Sequence, residues 1–256
     1  MRVFRWLVPL LAALLVSCGG GGGGGSNATA PPPGTETTFT VASQHTGLTY
    51  SVTAWVPASY ASAASLPVIY ALDREFQHGI VRGEVEARGH EAIVVSVSNV
   101  SAERRFVDFQ LPGAEAYFRF VTLELLPFVE AQYRVDRTRR VLAGYSLSGL
   151  FGVLAFLMDN PADRVFSGFV ITDPSLQFHT DTTFAMEAAL AASTRRVPVA
   201  YFACYTSPRE PFPTLHERIQ SRAYEGMRIQ HRLYGLDHGA VLRPCVEDGM
   251  RFVFGP

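Results

Sequence analysis

The chain has 256 residues, 48% of them apolar or aromatic, and its 22 basic and 23 acidic side chains leave a net charge of −1. The two signs are interspersed, so there is no basic stripe of the kind that neutralises a phosphate backbone, and nucleic acid is excluded as a partner. Most of the chain suits a single domain with a sizeable core, and no internal repeat is visible.

The first segment does not read as part of the fold. Arg2 and Arg5 precede an apolar run from Trp6 to Val16. A short basic region, an apolar stretch too short for a comfortable membrane span and a small residue before the cut describe a secretory signal. Its ending, Leu15-Val16-Ser17-Cys18, resembles the bacterial lipobox, in which the cysteine is lipidated and becomes the new N-terminus. Cys18 is therefore the expected lipidation site. Seven glycines (Gly19 to Gly25) and SNATAPPPGTET follow. Such composition builds no core and behaves as a flexible tether ending in a stiffer proline patch. About twenty such residues reach roughly 25 Å. The expected organisation is a signal peptide over 1–18, a linker over 19–36 and one folded domain over 37–256. The alternative is an ordinary signal peptide cut near Ala30.

Within the domain, alternating stretches at Thr37 to Ala42 and Thr49 to Val56, with a glycine-containing turn between them, predict an antiparallel hairpin. Leu66 to Leu72 and Ala92 to Val97 are continuous apolar runs, which read as buried strands, with a helix to about Arg88 between them. ERRFVDFQLPG reads as a loop. Ala114 to Tyr133 has helical periodicity, kinked or broken at Pro127. A strand at Arg140 to Ala143 leads into a helix-forming run. Further strands are expected at Val165 to Ile171, Arg196 to Ala203 and Arg228 to Tyr234, with helices at Thr214 to Gly226 and Val241 to Phe254. Strands alternating with helices predict an α/β fold, a mostly parallel doubly wound sheet with the hairpin at its start. Ligands bind such sheets at the carboxyl ends of the strands.

Those ends collect the chemistry. In RRVLAGYSLSGL, Ser146 stands two residues after Gly144, at a strand-to-helix junction. This is the layout of a nucleophile elbow, in which the hydroxyl stands above the sheet at a helix N-terminus; plain helix capping by Ser146 is the bland alternative. A serine needs a neutral base within reach, which favours histidine. His238, in YGLDHGAV between the last strand and the last helix, is the candidate. Glu210, in the loop TSPRE and 238 − 210 = 28 positions earlier, is the preferred acid; Asp173 competes, and a dyad without an acid is a third arrangement. Leu147 N–H is the expected first oxyanion donor, with the second at Arg74 or Glu75, assigned to Glu75. Cys204 and Cys245 form a disulfide or remain two separate buried thiols.

Several segments together resemble the putative-esterase family of α/β-hydrolases, which includes enterochelin-esterase-like, feruloyl-esterase and S-formylglutathione-hydrolase branches and the mycolyltransferases. PVIYALD at 67–73 resembles its apolar strand ending in Leu-Asp, and RFVDF at 105–109 with Pro112 its Arg-x-x-Asp-aromatic loop. LLPFVEAQYRVDRTRRVLAGYSLSGL at 125–150 is the best match. TDPSLQF at 172–178 and LDHGAV at 236–241 resemble the segments that complete the site. The resemblance implies ester hydrolysis through Ser146 and His238, the acid at Glu210, and Arg105 with Asp108 as a structural pair nearby. The siderophore-esterase-like branch is the nearest in pattern. Three positions depart from it: Ser148 replaces a glycine, Arg74 replaces the glycine after Leu-Asp, and Gln177-Phe178 replaces an aromatic pair.

The expectation is a serine carboxylic-ester hydrolase (esterase) of the bacterial cell envelope, exported and anchored through Cys18. Its partners would be a small-molecule ester and, through the lipid alone, a membrane. No metal or organic cofactor is implied. An acyltransferase or thioesterase on the same scaffold, or a non-catalytic binding module, are the alternatives.

Overall fold

The computed structural model describes residues 34–208 and 211–255. The signal segment, Cys18, nearly all of the tether and Glu210 lie outside the described residues. Eight strands form one sheet in the order β1-β2-β4-β3-β5-β6-β7-β8. β1 (Glu36–Ala42) and β2 (Thr49–Trp55) are the expected hairpin, and β2 lies antiparallel to β4 (Ile93–Val97). β3 (Leu66–Ala71), β4, β5 (Val135–Tyr145), β6 (Gly168–Thr172), β7 (Ala200–Tyr205) and β8 (Arg228–Leu233) run parallel. All six carboxyl ends therefore lie along one edge.

Helices cover both faces, as apolar runs buried on two sides require. On one face α1 (Arg74–Arg88) and α8 (Leu242–Phe254) bring Val81, Val85, Val246 and Met250 against Ile69, Val94 and Val170. On the other, α5 (Leu147–Met158) buries Phe151, Leu154 and Phe156 against Leu142, Phe169 and Tyr201. Eleven of the twelve α5 residues are buried, which is why its sequence is apolar all round. Each large side chain buried this way contributes roughly 1.5–3 kcal/mol against unfolding.

Three elements differ from expectation. The segment expected as a loop contains α2 (Ala102–Asp108), capped by Ser101, whose hydroxyl accepts from Arg104 N–H at 3.1 Å. Its buried residue is Asp108 and its exposed ones include Phe106 and Val107, an inversion of the usual pattern. α6 (Thr180–Ser193) had no counterpart in the sequence reading. Its buried stripe is Thr183, Glu187 and Leu190; two of these are polar, so no apolar periodicity announces it. The buried Glu187 is satisfied by Arg218 and Arg222 at 2.8 Å. Pro127 does not break its helix. α3 (Gly113–Arg119) continues through a π-helical turn (Phe120–Leu125) into α4 (Leu126–Gln132), whose first turn holds the proline. The wider turn accommodates a residue that cannot donate an i→i−4 bond.

Of the two readings of the cysteines, the structure has the bridge. Cys204 on β7 is bonded to Cys245 on α8, 41 positions away. Closing a loop of that length stabilises by about 4 kcal/mol on the chain-entropy estimate.

α7 (Phe212–Ser221) buries His216 completely, with Nε2 3.2 Å from Tyr201 Oη and Nδ1 2.7 Å from Phe212 O. Burial pushes this imidazole down to about 4 from its ordinary 6.5. The unfolded chain then binds a proton that the fold refuses, so the stability from neutral His216 is present above pH 6.5 and is lost as pH falls toward 4. Urea unfolding should therefore weaken over that window by up to about 3 kcal/mol from this group. His216→Gln should flatten the slope; an unchanged slope would remove the assignment.

Candidate active site

The site starts from a backbone contact. A Cβ on Gly144 would lie 2.2 Å from Ser148 O, so the chain can double back from β5 into α5 only with glycine there. Ser146 at the apex takes φ 59 and ψ −115, a region that L-residues avoid at a cost on the order of 1–3 kcal/mol. A Cβ on Gly149 would lie 2.9 Å from Thr172 O, so the first turn of α5 rests directly on the end of β6. Ser148 fills the position where a third small residue is usual. Its buried hydroxyl accepts from Tyr145 N–H and donates to Tyr145 O, both at 2.9 Å. The side chain thus ties the turn together, and the departure at 148 is compatible with the elbow.

Two neighbouring strand ends turn sharply as well. Asp73 after β3 has φ 55 and Asp173 after β6 has φ 40. Ser146 N–H donates to Thr172 O at 3.0 Å, and Asp173 N–H to Cys204 O at 2.8 Å, so the ends of β5, β6 and β7 are stitched side by side. Asp73 is fully buried and structural. It accepts two bonds from Arg105 at 2.7 Å and one from Asn99 Nδ2 at 2.7 Å. Arg105 therefore does not pair with Asp108. Asp108 instead meets Arg104 and accepts from Tyr50 Oη at 2.9 Å.

The structure describes one of the two candidate acids beside the histidine. His238 Nδ1 lies 2.6 Å from Oδ2 of Asp173, the competing candidate, and the preferred Glu210 lies outside the described residues. The left-handed turn at 173 swings its carboxylate off β6 toward the loop that follows β7. There it also accepts from Thr206 N–H at 2.9 Å and Thr206 Oγ1 at 3.0 Å. Burial raises the Asp173 carboxyl, but the bonds from His238 and Thr206 outweigh it and hold the group below the usual carboxylate range. It is an anion at neutral pH, suited to fixing the histidine tautomer and stabilising an imidazolium. The His238 side chain is 52% exposed, open to solvent and to a ligand.

Ser146 Oγ has Ser175 Oγ at 3.4 Å and, among the described residues, no hydrogen bond to the His238 ring. Ser175 N–H donates to Ser146 O at 3.0 Å, so the TDPSL segment wraps the Ser146 turn. Leu147 opens α5, and Arg74 and Glu75 open α1; the N–H groups of a first helical turn have no partner within their helix. The Glu75 carboxylate accepts from Asn99 N–H and Nδ2, and Arg74 Nη1 donates to Ser98 Oγ at 3.1 Å. His78 is engaged elsewhere, between Ser96 Oγ and Glu36. Ser175, Thr206 and Tyr145 were not singled out from sequence, although all three lie inside segments that were. Among the described residues, no cluster of three or more His, Cys, Asp or Glu could hold a metal, and no helix is long and apolar enough to cross a membrane.

A serine on a strained elbow, above a parallel sheet wrapped on both faces, with a histidine–carboxylate pair on neighbouring loops, defines an α/β-hydrolase. Residues 43–212 match the family model described as "Putative esterase", and the chain belongs to that family. It is a carboxylic-ester hydrolase. The ferri-bacillibactin esterase BesA of Bacillus subtilis is 26% identical over 273 residues, covering 87% of this chain and 93% of that protein. An IroE-like serine hydrolase from Shewanella oneidensis superposes with a TM-score of 0.74 at 20% identity, over 86% of this chain and 80% of the other. The siderophore hydrolase EstB from Aspergillus nidulans gives 0.68 at 17%, over 89% and 98%.

Substitution separates the two candidate carboxylates experimentally. Asp173→Asn should lower kcat on p-nitrophenyl acetate by about 10³–10⁴-fold, the scale for losing a histidine's orienting acid. Glu210→Gln should change it less than threefold. The reverse ranking would return the acid role to Glu210.

Proposed function

We propose that the chain cleaves carboxylic esters through Ser146, His238 and Asp173, tethered to the bacterial envelope by a lipid on Cys18. The observation that carries the reading is the left-handed Ser146 at the β5–α5 turn, with the His238–Asp173 pair held at 2.6 Å beside it. The Ser146 hydroxyl leaves Ser175, gives its proton to His238 Nε2 and bonds to the ester carbonyl carbon. The carbonyl oxygen takes the negative charge and is met by Leu147 N–H and Glu75 N–H. His238 passes the proton to the departing alkoxide as the ester C–O bond breaks, leaving an acyl-serine and the alcohol. Water attacks that acyl group, with His238 again as base, and releases the acid with Ser146 restored. No step calls for a metal or an organic cofactor.

Similarity to ferri-bacillibactin and siderophore esterases supports siderophore esters as the substrate class. The departures at Arg74 and Gln177-Phe178 lie in segments bordering the site, and Phe178 is exposed, so the substrate wall differs from the family pattern.

Ser146→Ala should abolish fluorophosphonate labelling and reduce hydrolysis of p-nitrophenyl acetate and of siderophore lactones by at least about 10³-fold. Turnover surviving the substitution would mean that another group is the nucleophile; product appearing only with an added alcohol acceptor would favour acyl transfer. For the anchor, wild-type protein expressed in bacteria should incorporate labelled palmitate and partition into detergent, and Cys18→Ser should do neither. Equal partitioning of the two would remove the tether.

A further inference from the structure

Tyr145, inside the elbow motif, makes two different contacts with His238. Its ring stacks on the imidazole, with centroids 4.8 Å apart and planes 24° from parallel. Its hydroxyl donates to the backbone carbonyl of His238 at 2.9 Å. The stack continues on the far side. Phe76, in the first turn of α1, meets Tyr145 edge-on at 6.2 Å, and the Arg105 guanidinium lies 5.6 Å over the Phe76 ring. Arg105 ends the column on Asp73, which is fully buried. Four planar groups therefore run from a buried anchor at the end of β3 to the half-exposed histidine of a loop on the other side of the nucleophile.

We infer that Tyr145 is the positioning residue for His238, fixing its loop through the hydroxyl and its ring plane through the stack. The inference rests on His238 acting as the base. Asp173 holds the imidazole through one nitrogen only, which leaves the ring free to tilt about that bond. A flat partner 4.8 Å away removes the tilt, so the free nitrogen keeps one direction. The face of an aromatic ring also favours a cation, so the stack stabilises the imidazolium formed when the serine gives up its proton. Burial, and Asp173 nearby, keep the Tyr145 phenol above its ordinary range, so it remains a donor through the working pH window. The charged groups around this pair are Asp173 at the end of β6 and Asp237 on the histidine loop, with Arg105 and Asp73 farther along the column.

The test uses the full chain and p-nitrophenyl acetate, with kcat and KM measured across pH 5–9. Tyr145→Phe keeps the stack and loses the hydroxyl bond. It should lower kcat by about three- to tenfold with the acid limb of the profile unmoved. Tyr145→Leu loses both contacts. It should lower kcat by about a hundredfold, leave KM within about twofold and move the acid limb to lower pH. A merely structural role would reduce the active-site count from fluorophosphonate titration and leave the limb in place, which would overturn the inference. An unchanged kcat in Tyr145→Leu would overturn it too. Should the leucine variant fail to fold, an unchanged kcat in Tyr145→Phe would do the same. His238→Gln is the separate control: activity surviving there would sink the assignment of the base rather than the role of Tyr145.

Discussion

The site depends on one close approach: a Cβ at Gly144 would lie 2.2 Å from Ser148 O, so the two backbones meet only across a glycine. No turn with a Cβ at 144 could bring β5 straight into α5, and without that reversal Ser146 would not stand clear of the sheet. The strain at Ser146 is of the order of one or two buried side chains. It is held because α5 is buried almost all round, and because the Ser148 hydroxyl closes both the donor and the acceptor of Tyr145. Stability from packing thus fixes Ser146 in a conformation that it would not adopt alone.

Asp73 and Asp173 show how environment assigns roles. Both end parallel strands, both have left-handed backbones and both are buried. Asp73 is closed on Arg105 and Asn99, so its charge is spent on structure. Asp173 faces a half-exposed histidine, so its charge acts on a ring that solvent can reach. The same local geometry closes a buried ion pair in one place and holds an accessible histidine in the other.

The histidine loop is held from three directions. Asp173 takes Nδ1, the Tyr145 column takes the ring face and the loop carbonyl, and the Cys204–Cys245 bridge ties the end of β7 to the helix that follows the loop. A loop between glycines at 235 and 239 would otherwise sample many conformations. Three unrelated constraints at one point hold a half-exposed ring in one orientation.

The sequence by itself determined the sheet, because continuous apolar runs buried on both faces leave few other arrangements. It also determined Ser146, because a glycine two residues before a serine at a strand–helix junction is a local signal. The histidine followed from a loop of fixed place in the chain. The tertiary structure decided what depends on direction. α2 and α6 escaped because their buried faces carry the polar Asp108, Thr183 and Glu187, and it is Tyr50 for Asp108 and Arg218 and Arg222 for Glu187, all remote in sequence, that make such burial tolerable. The Asp173–His238 contact was not preferred for a related reason: chain order names the loops that can reach a histidine, but the left-handed φ at 173 is what turns this carboxylate toward the ring. Contacts made at a distance leave no periodicity behind, so only the folded chain could rank them.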